Sequence, residues 1–100
     1  MRASRFHDEA RLELLHEVAY YTAVSPRLGE RFDKAVQSAV ERAVEFPDMG
    51  SPYFAETRRV FPKKFKFSVV YLTYENEIFI LAVAPFRRKP GYWRMRTKDG

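Results

Sequence analysis

The sequence predicts an α+β fold with the element order β-α-α-β-β-β, in which a helical hairpin covers one face of a small, mainly antiparallel sheet. Two patterns predict this fold. Apolar residues recur at helical spacing through most of residues 8–46, whereas they alternate or run together between residues 57 and 84, as in strands. The 100 residues are 46% hydrophobic and 16% aromatic, which suffices for a buried core in a single domain over residues 1–100.

The first elements are a short strand, Ala3 to Phe6, and a helix over residues 8–24. One side of this helix is apolar at the spacing of helical turns, and it carries Ala10, Leu14, Leu15, Val18, Tyr21 and Thr22. Asp8 and Glu9 lie in its first turn, where carboxylates interact favourably with the helix dipole. The acidic side chains of the helical region are expected to be solvated, not paired for acid–base catalysis.

A second helix follows directly. Ser25 and Pro26 mark the restart, because Ser is a favoured N-cap and Pro is tolerated at the first helical position. The apolar stripe of this helix consists of Leu28, Phe32, Ala35, Val36, Ala39, Ala43 and Phe46. Pro47 and Gly50 end it, and two helices joined by so short a connection are expected to lie antiparallel.

The second half of the chain has the pattern of strands. A short strand is predicted from Thr57 to Phe61, and a longer one from Phe65 to Thr73, where β-branched and aromatic residues are enriched. Glu75 and Asn76 form the turn to a third strand, Ile78 to Ala84, which is apolar on both faces as in the centre of a sheet.

Several kinds of chemistry lack the residues that they need. A chain without cysteine has no disulfide framework, thiolate nucleophile or cysteine-based zinc site, and it suits a reducing compartment. His7 and His16 are not at metal-ligand spacing, no serine has a Gly-x-Ser-x-Gly context, and the glycines form no phosphate-binding loop. Neither a metal site nor a cofactor is expected.

No targeting or membrane segment is predicted. The first thirty residues lack the continuous apolar core of a secretory signal. The longest apolar run, Ile78 to Phe86, has nine residues, well short of the ~20 that cross a bilayer. A soluble, cytoplasmic protein is expected.

Charge is divided unevenly along the chain. Residues 1–50 have a formal charge of −2 and residues 51–100 one of +7, which together make the net +5. The excess lies in three basic groups, Arg58-Arg59, Lys63-Lys64-Lys66 and Arg87-Arg88-Lys89, each beside a predicted strand. This asymmetry is typical of a face that meets phosphates or an acidic protein, although a solvated basic surface has the same composition.

The segment from Ala82 to Arg96 combines arginine with aromatic residues directly after a predicted central strand. Arginine binds phosphates bidentately, and Tyr92 and Trp93 could stack on bases or fill a pocket of a protein partner. The alternative is that both rings pack back over the sheet and seal its end. The sequence leaves the two interpretations open.

These features together resemble the RelE/ParE superfamily of type II toxin–antitoxin toxins, most of all its ParE branch. The residues that carry the resemblance span about 5 to 96: Tyr20-Tyr21, Leu28-Gly29-Glu30-Arg31-Phe32, Phe46-Pro47, Arg58-Arg59, Phe67-Ser68-Val69-Val70-Tyr71, Ala82-Val83-Ala84 and Arg87-Arg88-Lys89-Pro90-Gly91-Tyr92-Trp93. Pro85 is a departure, because many relatives have His after the Ala-Val-Ala strand end.

The resemblance implies a growth-inhibiting toxin that a small cognate antitoxin silences. ParE-like members generally poison DNA gyrase, which is the target that the resemblance favours here. The alternative is a RelE-like enzyme that cuts mRNA on the ribosome without metal, for which Arg59, Lys64, Arg88 and Tyr92 could supply positive charge and a proton-transfer group. A third hypothesis is a basic binding module that is no longer toxic.

Two sets of contact residues follow from this interpretation. Target binding is assigned to the carboxyl-terminal residues Arg87, Arg88, Tyr92, Trp93 and Arg94. Antitoxin binding is assigned to the basic residues of the middle segment, Arg58, Arg59, Lys63, Lys64 and Lys66. An acidic antitoxin would complement the second set, and its affinity would fall with salt.

Overall fold

The computed structural model describes residues 3–99 of the chain and the side chains of residues 3–97. Its helices and strands are β1 (Ala3–Phe6), α1 (Asp8–Val24), α2 (Pro26–Glu45), β2 (Ser51–Pro52), β3 (Arg58–Val60), β4 (Phe67–Tyr74) and β5 (Glu77–Pro85). Short 3₁₀ turns lie at Phe54–Glu56 and Arg94–Asp99. The predicted helical hairpin on one face of a sheet is confirmed.

The five strands form one sheet in the order β1-β5-β4-β3-β2. β1 runs parallel to β5, and every other pair is antiparallel. The register of β4 and β5 shifts by one residue at Leu81, because Val70 faces Ala82 whereas Tyr71 faces Ile80. The mainly antiparallel sheet that the sequence predicts is therefore present, with a bulge in its longest strand pair.

The helices pack on one face of this sheet. Their buried side chains, Ala10 and Leu14 of α1 and Phe32, Val36 and Ala39 of α2 among them, form one core with the inward side chains of β4 and β5. Where the helices cross, a Cβ on Gly29 would overlap the Thr22 side chain, so glycine permits the close approach. Leu15, which the periodicity places on the apolar side, is instead 56% exposed.

The bounds of β3, β4 and β5 differ from the prediction by one or two residues at each end. β4 begins at Phe67, because Phe65 packs in an aromatic cluster with Tyr21 and Phe32 instead of pairing in the sheet. β3 is one residue shorter at each end than the predicted strand. The two-residue strand β2 is absent from the prediction, since so short a segment carries no periodicity.

The opposite face of the sheet has a second, smaller core. Val70, Phe79, Leu81 and Ala82 form it together with Trp93, which comes from the segment after β5. The carboxyl-terminal segment therefore crosses the face that the helices leave uncovered. None of the helices described in residues 3–99 has the length and apolarity needed to span a bilayer.

Candidate functional site

The carboxyl-terminal segment leaves β5 as an exposed turn and then folds back onto the sheet. Gly91 has a φ of 95°, which favours glycine and reverses the chain. Trp93 is 1% exposed and stacks on Tyr53, with 5.3 Å between ring centroids and 18° between ring planes. Of the two alternatives for this ring, contact with a partner or packing over the sheet, the structure shows packing over the sheet. The assignment of Trp93 to target binding stays a prediction.

Glu13 of α1 is the centre of a polar network that holds this segment. Its Oε1 accepts hydrogen bonds from Arg96 Nη1 at 3.1 Å and from the Val83 backbone N–H at 3.0 Å. Its Oε2 accepts from the Tyr92 hydroxyl at 2.8 Å and from Arg96 Nη2 at 3.1 Å. The side chains of Glu13 and Arg96 are only 16% and 14% exposed, so the expectation of solvated helical acids is wrong for Glu13.

Glu13 and Arg96 lie at an edge of β5 that no neighbouring strand covers. β1 ends at Phe6, which pairs with Ile80, so the edge of β5 beyond that pair has no strand beside it. Arg96 Nη1 donates to the Leu81 carbonyl at 2.9 Å, and Glu13 accepts from Val83. Two side chains thereby satisfy backbone groups that a neighbouring strand would otherwise bind.

Sequence reasoning missed Glu13 and Arg96 as partners. A signal for Glu13 was present, because it follows Ala10 by three residues and directly precedes Leu14, the two buried residues of α1. It therefore lies along the inward stripe of the helix. No local signal marks Arg96, since its partner is 83 residues away in the chain.

The remaining basic side chains of the segment are exposed. Arg87, Arg88, Lys89 and Arg94 are all open to solvent, and we call these four residues the basic surface. The Arg88 guanidinium lies 3.6 Å from the centroid of the Tyr92 ring and 3.7 Å from Glu13 Oε2. The basic surface is thus connected to the Glu13 network through Arg88.

Tyr92 is half-buried between two arginines, Arg88 and Arg96. Burial raises the pKa of Tyr92 above its ordinary value of 10.0, and the hydrogen bond to the Glu13 carboxylate raises this pKa further. A neutral phenol that donates to a carboxylate fits a structural role in the network.

Alkaline pH is therefore expected to weaken the fold partly through Tyr92. A group with a raised folded pKa stabilises the protein below its unfolded pKa, and this stabilisation is lost as pH rises past 10.0 towards the folded pKa. Tyr92→Phe should lower the free energy of unfolding at neutral pH, yet make its decline above pH ~10 shallower. Denaturant titrations across this range measure both effects, with exposed Tyr74→Phe as the control. An equally steep decline in Tyr92→Phe would contradict the assignment.

The residues considered for RNA cleavage do not form one cluster. Arg59 and Arg88 line a cavity of about 270 Å³ on the sheet face opposite the helices. Lys64 is exposed in the turn before β4, and the Tyr92 hydroxyl points to Glu13. Arg88 also stacks on the Tyr92 ring at 3.6 Å, but the hydroxyl of Tyr92 is engaged by Glu13, and Lys64 does not line the cavity.

The residues predicted to bind an antitoxin fall into two environments. Arg58 donates to the carbonyls of Asp48 and Gly50, at 3.1 and 2.7 Å, and Arg59 stacks on Tyr53 at 4.0 Å. The other three predicted residues, Lys63, Lys64 and Lys66, are exposed. The two arginines therefore support the loop around β2 and β3, whereas the lysines are accessible.

A further surface was not predicted. Four large apolar side chains of α1 are exposed, with exposed fractions of 58% for Leu12, 56% for Leu15, 59% for Tyr20 and 65% for Val24. We call this the outer face of α1. Near the carboxyl end of α1, Tyr21 contacts Phe65, so the turn before β4 lies beside the same helix; we call its residues Lys63, Lys64 and Lys66 the lysine-rich turn. Apolar surface of this kind on a small protein is typical of a protein interface.

Among residues 3–97, no group of three or more His, Asp or Glu side chains could hold a metal ion.

The comparisons with known proteins agree with this architecture. The family model for the ParE toxin of type II toxin–antitoxin systems, parDE, matches residues 5–97. The chain belongs to the ParE toxin family. A search of curated proteins gave no match for this ParE-family chain. Among solved structures it is similar to the chromosomal ParDE toxin–antitoxin system from P. aeruginosa, with a TM-score of 0.75 and 17% sequence identity, over 85% of this chain and 96% of that one. This likeness shows the shared fold.

Proposed function

We propose that this ParE-family toxin inhibits growth by poisoning DNA gyrase in the cytoplasm, and that a cognate antitoxin neutralises it. Membership of the ParE toxin family carries the proposal. The exposed basic surface adds physical support, because its arginines are available to a nucleic acid or an acidic protein. A complex of gyrase with cleaved DNA contains both a protein and a nucleic acid.

The fixed position of the basic surface also favours a binding mode of action. Trp93 packs on the sheet, and the Glu13 network connects Tyr92 and Arg96 to α1, so the end of the segment is held in place. The arginines therefore project from an anchored base, which reduces the conformational entropy lost on binding. The RNA-cleavage alternative lacks such support, because Tyr92 is occupied by Glu13 and Lys64 lies outside the cavity that Arg59 and Arg88 line.

A gyrase assay tests the proposal directly. Purified toxin added to gyrase, ATP and relaxed plasmid should inhibit supercoiling and increase the fraction of cleaved plasmid after protein denaturation. Heat-unfolded toxin at the same concentration is the control, because it has the same charge and would reveal nonspecific inhibition by a basic polypeptide. Normal supercoiling at a large molar excess of folded toxin would refute gyrase as the target. Toeprinting of translating ribosomes checks the alternative, for which new cuts in the ribosomal A site are the diagnostic result.

The antitoxin is proposed to cover the outer face of α1 and to place acidic residues near the lysine-rich turn. Both surfaces are exposed, and the contact between Tyr21 and Phe65 places the turn beside the carboxyl end of α1. The similar solved structure is described as a ParDE toxin–antitoxin system, which fits a toxin with such a partner. Antitoxin binding then combines apolar burial with salt-dependent attraction.

Truncating the outer face of α1 should weaken that complex. Leu12→Ala with Leu15→Ala removes apolar area that the partner would bury, so the dissociation constant should rise by about tenfold or more. Isothermal titration with the protein encoded by the adjacent reading frame measures it. Met49→Ala, a truncation of a 77% exposed side chain in the loop after α2, is the matched control. An unchanged dissociation constant in the double variant would exclude this face from the interface.

A further inference from the structure

Two residues that line one cavity, Arg59 and Trp93, each have a buried N–H group without an acceptor. Arg59 Nε and Trp93 Nε1 are both enclosed, and neither has a hydrogen-bond partner among the described residues. Both side chains line the cavity of about 270 Å³ on the sheet face opposite the helices. An unsatisfied buried donor destabilises a fold, so two of them at one place indicate that an acceptor belongs there.

The charge of the cavity has the same sign throughout. Arg59 has no carboxylate within ion-pair distance in the described part of the chain, and the cavity lining contains two arginines, Arg59 and Arg88, but no acidic residue. The Arg59 guanidinium lies between aromatic rings, 4.0 Å from the centroid of Tyr53 and 5.0 Å from that of Phe61. A half-buried cation without an anion is a second indication of a missing ligand.

We propose that this cavity is a binding site for a phosphate group. Its donors come from three separate parts of the chain: Arg59 of β3, Ser68 of β4, and Arg88 with Trp93 of the carboxyl-terminal segment. Arg59 Nη1 donates to Ser68 Oγ at 3.0 Å, which leaves the hydroxyl hydrogen available to a ligand. A phosphate monoester has three terminal oxygens and a charge between about −1.5 and −2, which matches dispersed donors around the unpaired Arg59 and a second arginine, Arg88, that also pairs with Glu13, better than one planar carboxylate does.

Tyr53 controls access to these donors. Its ring stacks on both Arg59 and Trp93 and so lies against the two side chains that have the unpartnered N–H groups. The turn that follows holds Ala55 and Glu56 at φ of 57° and 60°, a region that residues other than glycine rarely adopt. A shift of this strained turn would move the Tyr53 ring and admit a phosphate group to the two N–H donors.

The chain contains one tryptophan, whose indole N–H signal in an NMR spectrum reports on this cavity alone. Inorganic phosphate, titrated into the full-length protein at constant ionic strength, should shift this signal downfield and saturably. A second titration with a nucleoside 5′-monophosphate distinguishes the sources: saturation by inorganic phosphate identifies a free anion site, and saturation by the nucleotide alone identifies a phosphate carried on a nucleotide. Both results support a phosphate site.

Variants and other anions make the test decisive. Arg59→Gln should weaken binding by about tenfold or more, because a charge-assisted donor is lost, whereas Arg31→Gln on the exposed side of α2 removes equal charge and should bind normally. Wild-type protein also tests the proposal without any variant. Saturable binding of acetate in place of phosphate, or no saturable shift with any of these anions, would overturn it. Neither result depends on gyrase activity, so this proposal and the proposed function fail separately.

Discussion

Trp93→Ala is expected to lower the free energy of unfolding by about 3–5 kcal/mol, the usual loss when a large buried aromatic side chain is truncated. Trp93 is 1% exposed and is the largest member of the core beneath the carboxyl-terminal segment. Its removal leaves Phe79 and Leu81 without their cover and Tyr53 without its stacking partner. Urea unfolding followed by circular dichroism measures the change.

Met95→Ala is the matched control, because Met95 lies two residues away and is 74% exposed. It should change the free energy of unfolding by less than about 0.5 kcal/mol. If Trp93→Ala does not fold, Trp93→Phe keeps a ring in the core and should show a smaller loss of the same sign. A loss no larger than that of Met95→Ala would show that the segment does not depend on Trp93.

The second large effect is expected at Glu13. Glu13→Ala leaves the mostly buried Arg96 guanidinium without its anion and exposes the unpaired edge of β5, so we expect a loss of about 3 kcal/mol. The Val83 amide also loses its acceptor and should exchange its hydrogen faster. Urea unfolding measures the first effect, and hydrogen exchange at Val83 measures the second.

A double-mutant cycle separates this pairing from a general weakening of α1. Glu13→Ala and Arg96→Ala together should cost clearly less than the sum of the single variants, since the two side chains form one bidentate pair. Glu9→Ala removes an exposed carboxylate from the same helix and serves as the control. Additive losses, or normal protection of the Val83 amide in Glu13→Ala, would refute the role of Glu13.

Most of the fold could be predicted because its signals are local. The hairpin of α1 and α2, the turn at Glu75 and Asn76, and the buried strand β5 each have their own periodicity or turn residues. The errors lie where tertiary packing decides. Phe65 alternates like a strand residue but joins an aromatic cluster, and Leu15 fits the apolar stripe but lies on the outer face of α1.

The candidate site was less predictable because its contacts join distant parts of the chain. Composition alone identifies the exposed arginines of the basic surface, and the sequence also suggests that Trp93 could seal the sheet. It cannot show that Glu13, 83 residues before Arg96, anchors the segment. Nor can it show that Arg59 and Trp93 leave donors unsatisfied in one cavity, because this depends on the strand order.

The two groups of residues in the carboxyl-terminal segment therefore have different proposed roles. Trp93, Tyr92 and Arg96 attach the segment to the sheet and to α1, and their loss should reduce stability. Arg87 and Arg94 are exposed, so their loss should leave stability unchanged and reduce binding to a target.

The central claim is that the basic surface contacts gyrase or its DNA, and a cleavage assay with Arg87→Gln and Arg94→Gln combined tests it most directly. Cleaved plasmid should accumulate with wild-type toxin and with the control pair Arg27→Gln and Arg31→Gln, which removes equal charge from exposed positions on α2. The Arg87 and Arg94 variant should need at least about tenfold more toxin for the same cleavage, at unchanged folding stability. Equal potency of this variant and wild-type toxin would contradict the claim.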